Sequence, residues 1–231
     1  MITYPLFKDR IEAGQRLGAE IVDYAGRSDA LVLALPRGGV SVGYEVARAL
    51  NVRLDIFMVC KLGVPGAAEF AIGALATGGV RVLDDRLMQT LGVPEKYIRA
   101  LTARGSLELE RRERLYRGDH PLHVISDQTA ILVDDGMATG STMRAATKAL
   151  RLFRPSKVVV AVPVAPTSAC ESLRALADEV ICVAQPEPFQ SVGEWYEDFG
   201  QVTDDEVKDL LELAWSHETS LVGRHGPATG K

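Results

Sequence analysis

Short, continuous runs of Val, Ile and Leu, separated by helical patterns, constrain this chain more than any other feature. Residues 30–35, 54–60, 130–133, 157–162 and 179–184 each hold an apolar run of strand length. Between them, residues 40–50 set Val42, Val46, Ala49 and Leu50 on a helical repeat, and residues 141–153 and 167–177 read as further helices. Strands apolar at consecutive positions are buried on both faces, as in a parallel sheet covered by helices. The pattern therefore predicts an α/β fold with a mainly parallel sheet flanked by helices. Residues 70–77 and 80–83 read as a hairpin turned by Gly78-Gly79.

Two stretches break the alternation. Residues 94–117 have almost no strand character and read as a helix with Pro94 at its first position. Its later half offers three Glu-to-Arg pairs four residues apart: Glu108–Arg112, Glu110–Arg114 and Glu113–Arg117. Pairs at that spacing describe a solvated, self-stabilised helix, each adding about 0.2–0.5 kcal/mol. The other reading turns one or two of the arginines inward to a phosphate. Near the end, a Pro-marked loop at 185–189 leads into Trp195, Tyr196 and Phe199, and 204–215 reads as a helix capped by Thr203 or Asp204. Residues 216–231 are polar and Gly-rich, and are expected to be a poorly ordered tail.

Composition narrows the function classes. Lys and Arg total 26 against 31 Asp and Glu, a net charge of −5, which is the wrong sign for coating nucleic acid. The apolar runs fall well short of the roughly 20 residues that cross a membrane. Lys8, Asp9 and Arg10 leave no apolar stretch near the start for an export signal. Cys60, Cys170 and Cys182 show no metal or disulfide spacing and read as reduced thiols. A cytoplasmic protein without membrane or nucleic-acid partners is expected.

The chemistry concentrates in one stretch. An apolar strand runs into Asp134-Asp135, then Gly136, Met137, Ala138, Thr139 and Gly140, then a helix opening at Ser141-Thr142. The first turn of such a helix leaves backbone N–H groups unsatisfied, and its dipole favours an anion there. Thr139, Ser141 and Thr142 add hydroxyl donors. Two carboxylates beside a phosphate would only repel it, but they suit neutral hydroxyls, such as the 2- and 3-hydroxyls of a ribose 5-phosphate. Strand ends are also where open α/β sheets bind ligands.

Residues 131–142 resemble the signature of the type I phosphoribosyltransferases: an apolar strand, two acids, two small or apolar residues, Thr-Gly and small hydroxyl residues. The order of elements from about 30 to 185 is similar to that family's fold. The resemblance implies a single domain over 1–215. It would have a core at about 30–185, a helical insertion at about 84–118, and a hood from about 1–20 and 185–215. It implies binding of 5-phosphoribosyl 1-pyrophosphate (PRPP). Asp134 and Asp135 would be the catalytic acids on the ribose hydroxyls and would hold Mg²⁺ directly or through water. The backbone from Gly136 to Thr142 would hold the 5-phosphate. Arg37-Gly38-Gly39 stands where the family has its pyrophosphate loop; taken alone a plain Gly-Gly turn explains those residues better, and the motif at 131–142 is what tips the reading to pyrophosphate. Lys61, at the end of the second strand, would face pyrophosphate or simply solvent; Glu69 reads as solvent-facing.

The implied reaction transfers a phosphoribosyl group to a small acceptor, a nucleobase or related amine, and releases pyrophosphate. Two departures weigh against 6-oxopurines. Ala138 replaces the acid expected before Thr-Gly, and Pro163-Val164-Ala165-Pro166 supplies no lysine after the strand. Phe189 is the aromatic ring expected to face the acceptor, whereas Trp195 and Phe199 are expected to pack the last helix against the sheet. The rival reading is a non-catalytic sensor of PRPP or a nucleotide on the same fold. Relatives are commonly homodimers.

Overall fold

The computed structural model describes residues 5–64 and 67–222, with the side chains at 64, 67–71, 85 and 219–222 outside that description. In chain order the elements are α1 (Arg10–Glu20), β1 (Ala30–Ala34), α2 (Gly38–Leu50), β2 (Arg53–Ile56), β3 (Val59–Val64), β4 (Ala67–Ala76) and β5 (Val80–Leu83). There follow α3 (Asp85–Thr90), α4 (Glu95–Arg117), β6 (Thr129–Val133), α5 (Ser141–Arg151), β7 (Lys157–Val164), α6 (Thr167–Leu173), β8 (Glu179–Ala184) and α7 (Asp204–Val222).

The apolar runs form the parallel sheet, in the order β2-β1-β6-β7-β8. Every residue of β1 and β6 is buried, as continuous apolar strands require. Alternation along β1 divides the core: Val32 and Ala34 pack with α1, α2 and α7, while Leu31 and Leu33 pack with α5 and α6. Helix α1 lies close on α2, because a Cβ at Gly14 would meet the Glu45 Cβ at 2.7 Å. From β1 the chain crosses to β2 on one side, and from β6 it proceeds to β7 and β8 on the other. Strand order thus reverses between β1 and β6, which sets a crevice at their C-terminal ends.

Residues 54–60 are not one strand. Phe57 N donates to Ala34 O at 2.9 Å and Met58 N to the Thr77 hydroxyl at 2.8 Å, so the chain leaves the parallel sheet after Ile56. It restarts as β3 in a separate antiparallel sheet, β3-β4-β5, whose β4–β5 arm is the expected hairpin. Lys61 consequently sits inside β3, opposite Ala74, and not at the end of a parallel strand.

The stretch after β5 holds two helices, α3 and α4, and Pro94 stands at the N-cap of α4, outside its first turn. Of the three expected pairs on α4 only Glu108–Arg112 forms, at 2.7 Å. Glu108 also takes Arg111, and the two guanidiniums hold its carboxyl down to about 2. Arg117 turns inward, but to the buried carboxylate of Asp55 and the carbonyl of Ile56, and not to a phosphate loop.

The two terminal segments meet each other through a small apolar cluster. Trp195 is fully buried with Phe7, Ala13, Val164 and Tyr196, so it ties the N-terminal segment to the sheet edge and does not seat the last helix. Helix α7 is held instead by Val207, Leu211 and Trp215. Thr203 caps it: its hydroxyl accepts from Glu206 N at 3.2 Å, and Glu206 accepts from Thr203 N at 2.6 Å. The helix continues to Val222, through the first residues of the expected tail; residues 223–231 lie outside the described residues. Cys60, Cys170 and Cys182 are free thiols, with Cys170 buried and the other two partly exposed.

Candidate active site

Two sequence motifs almost a hundred residues apart meet at the crevice. The pairing of β1 with β6 continues past the strand ends, where Leu35 N donates to Val133 O at 2.9 Å. The next residues are the Arg37-Gly38-Gly39 turn on one chain segment and Asp134-Asp135 on the other. A Cβ on Gly38 would lie 1.9 Å from Asp135 Oδ2, and one on Gly39 would lie 2.9 Å from the Asp134 Cα. No side chain fits either gap, so the glycines are what allow the turn and the acids to touch. The peptide between Pro36 and Arg37 is cis.

Burial raises the carboxyl of Asp134 well above the usual carboxylate range, and the neighbouring Asp135 raises it further. Among the described residues, the donor that reaches Asp134 is the Asp135 N–H, at 2.9 Å. Burial also raises Asp135, against the pull of Arg10, whose Nε lies 2.8 Å from Asp135 Oδ2. Arg10 opens α1, donates to Gly200 O at 2.8 Å, and sits 3.9 Å from the centroid of the Phe199 ring. The Tyr196 hydroxyl donates to Asp135 O at 2.6 Å. The acid pair is thus clasped by both terminal segments.

The loop after the acids is anchored from behind. Met137 N donates to Val164 O at 3.0 Å, and the Met137 side chain is buried in the α5–α6 core, which leaves its backbone to shape the loop. Gly140 adopts a left-handed conformation, φ 68°, that turns the chain into α5. Thr139 Oγ1 accepts from Ser141 N at 3.3 Å, and the exposed Thr142 and partly exposed Ser141 present hydroxyls at the helix start.

The phosphoribosyl transferase domain family matches residues 7–197. The chain belongs to that family. It is 40% identical over 209 residues to a Mycobacterium tuberculosis protein provisionally named a phosphoribosyl transferase. The match covers 90% of this chain and 47% of that protein, so the chain spans about half the length of the curated relatives it matches. It is similar to the crystal structure of TT1426 from Thermus thermophilus, with 41% identity, 89% of this chain and 97% of that one covered, and a TM-score of 0.81. The fold is shared with AQ2163 from Aquifex aeolicus at 11% identity and a TM-score of 0.50, over 87% of this chain and 84% of that one.

In this phosphoribosyl transferase domain the remaining expected residues fall in distinct places. Lys61 reaches the start of α5, where its Nζ donates to Ser141 Oγ at 3.1 Å. Arg37 stands half-exposed at the rim, 3.9 Å from Asp204 at the start of α7. Phe189 is half-buried, its ring 5.8 Å from that of Trp195, and it walls an open cleft of about 560 Å³ that begins at Ala138 and Thr139. The Glu69 side chain lies outside the described residues. Arg10 and Arg144 carried no sequence signal: Arg10 precedes the first strand by twenty residues, and Arg144 reads as one more basic residue on α5.

The donor set suits a small divalent cation. Among the described residues no group of three or more His, Cys, Asp or Glu could form a metal cage. Asp134 and Asp135 do offer hard oxygens beside the loop that opens α5, and Mg²⁺ is characteristically held by one or two carboxylates together with substrate phosphates. No helix among the described residues is long and apolar enough to cross a membrane.

Proposed function

We propose that this domain binds PRPP with Mg²⁺ and transfers its 5-phosphoribosyl group to a small acceptor. The observation that carries the reading is the meeting of Gly38-Gly39 with a partly buried acid pair that is short of donors, beside the loop from Ala138 to Thr142. The 2- and 3-hydroxyls of the ribose are the donors such acids lack. The N–H groups and hydroxyls at the start of α5, with Lys61, would take the 5-phosphate. The N–H groups of the Arg37-Gly38-Gly39 turn would meet the pyrophosphate, with Arg37 at the rim.

In the reaction, an acceptor nitrogen uses its lone pair to bond to ribose C1 as the C1–O bond breaks. The bonding pair leaves with pyrophosphate, and the nitrogen's proton passes to solvent. Positive charge develops on the ribose in the transition state, where carboxylate oxygens of the pair stabilise it once the ribose hydroxyls supply the donors they lack. Asp134 and Asp135 also orient the ring through its hydroxyls, which is a positioning contribution. Magnesium, when bound, neutralises charge on the pyrophosphate leaving group.

Two measurements test this. Calorimetric titration of the full chain with PRPP and Mg²⁺ should give saturable binding, and absence of binding at millimolar PRPP would sink the reading. Pyrophosphate release, assayed with PRPP and a panel of nucleobases and amines, should reveal turnover with one of them. Binding without turnover across the panel would select the sensor reading over the transferase.

A further inference from the structure

The cleft beside the 5-phosphate loop carries a specific chemistry. Its volume of about 560 Å³ is in the range of small-molecule sites, and its floor at Ala138 and Thr139 is shared with the loop itself. Arg144, Ser168, Ser172, Phe189 and Gln190 line it. Arg144 is loosely held: its Nη1 lies 3.4 Å from Thr139 O and 3.5 Å from Ser172 Oγ, and it pairs with no carboxylate among the described residues. Arg10 and Arg151, by contrast, contact carboxylates at 2.8 and 2.9 Å. A guanidinium with such long contacts keeps its planar fork of donors for a ligand, and that fork matches a carboxylate. Glu187, the acid in the lining, is solvent-exposed and beyond ion-pair distance of Arg144. Phe189 supplies an aromatic surface braced by Trp195, on which a planar ring can stack.

We propose that this cleft is the acceptor site and that the acceptor is a planar ring bearing a carboxylate. The ring lies against Phe189 and the carboxylate meets Arg144, with the Ser172 hydroxyl beside it. The assignment rests on the PRPP reading, because a ring seated at Ala138 and Thr139 is useful only beside a bound phosphoribosyl group. The absence of side-chain bulk at Ala138 leaves the ring room at the loop.

Orotate and uracil share a ring and differ by one carboxylate; quinolinate and adenine extend the contrast. Each is titrated into the full chain with ribose 5-phosphate, pyrophosphate and Mg²⁺ present, a mixture that cannot turn over. The expected result is that orotate or quinolinate binds at least about tenfold more tightly than uracil and adenine. Arg144→Gln should erase that preference and Arg144→Lys should keep part of it, with ring affinity falling by more than PRPP affinity in both. Equal affinity for the charged and neutral rings, or no ring bound at all, overturns the proposal. So does an Arg144→Gln variant that loses PRPP affinity in step with ring affinity, since Arg144 would then serve the 5-phosphate. A wild-type chain that fails to bind PRPP in a control titration overturns the functional reading itself, and is thereby distinguished from failure of the acceptor class alone.

Discussion

Two acidic sites flank β1, one fully buried and one partly buried, and their electrostatics are opposite. Asp55 in β2 is fully buried and saturated with donors: Arg117, the backbone N–H of Ile56 at 2.7 Å, and both the N–H and Nδ1 of His123, at 3.1 and 2.9 Å. Burial alone would raise its carboxyl, but His123 and Arg117 outweigh that and hold it below the usual range. Asp134, after β6, has one neighbouring N–H and a second acid beside it, and its carboxyl is pushed up. An acid with every acceptor filled is mortar. This one joins β2 to α4, to the segment carrying His123 and, through Glu218 on the other ring nitrogen, to α7. An acid left short of donors has capacity for a ligand.

The largest expected effect that sharpens this contrast is on the saturated side. Arg117→Met should cost about 3 kcal/mol of stability, because it leaves a buried carboxylate short of its guanidinium partner. PRPP affinity of the folded variant should be unchanged. Urea denaturation and calorimetry check the two halves, and a loss of affinity larger than the loss of stability would break the contrast.

His123 gives the next effect. Burial would lower its pKa, but the carboxylates of Asp55 and Glu218 prevail and raise it to about 9 from the ordinary 6.5. The folded state therefore binds the proton more tightly than the unfolded chain. The stabilisation is complete below about pH 6.5 and is lost as pH rises through about 9, a fall of about 3 kcal/mol. Urea midpoints from pH 6 to 10 should decline in the wild type and flatten in His123→Gln; parallel curves would contradict it.

The smallest effect lies on the ligand side. Arg10→Gln frees Asp135 from its clasp and should weaken PRPP binding about tenfold, with Arg10→Lys retaining more of it. A shift in thermal midpoint without a change in affinity would make Arg10 a structural residue only.

Much of the parallel sheet and the acid motif is legible in the sequence, because both depend on local pattern. β1, β6, β7 and β8 are continuous apolar runs, and the loop from Gly136 to Thr142 is contiguous with its strand and helix. What long-range contact decides is hidden. The exit of the chain at Ile56 depends on hydrogen bonds from Phe57 and Met58 to partners on β1 and at Thr77, which no run of apolar residues reveals. Arg117 looks like a surface arginine in its helix until Asp55 is placed beneath it. Arg10 is invisible because the fold brings α1 across the acids 125 residues later in the chain. Gly38 could be read as a plain turn, and only its contact with Asp135 distinguishes it.

The most direct test compares the thermal midpoint with and without PRPP and Mg²⁺ in three chains: wild type, Arg117→Met, and Asp134→Asn/Asp135→Asn. A ligand that binds only the folded state at 100 times its Kd adds about 2.7 kcal/mol of stability. The expected result is a rise in midpoint for the wild type and for Arg117→Met, each from its own baseline, and none for the doubly substituted chain. A rise that survives loss of both acids, or one that vanishes with Arg117 alone in a folded variant, would contradict the assignment of Asp134 and Asp135 as the ligand site.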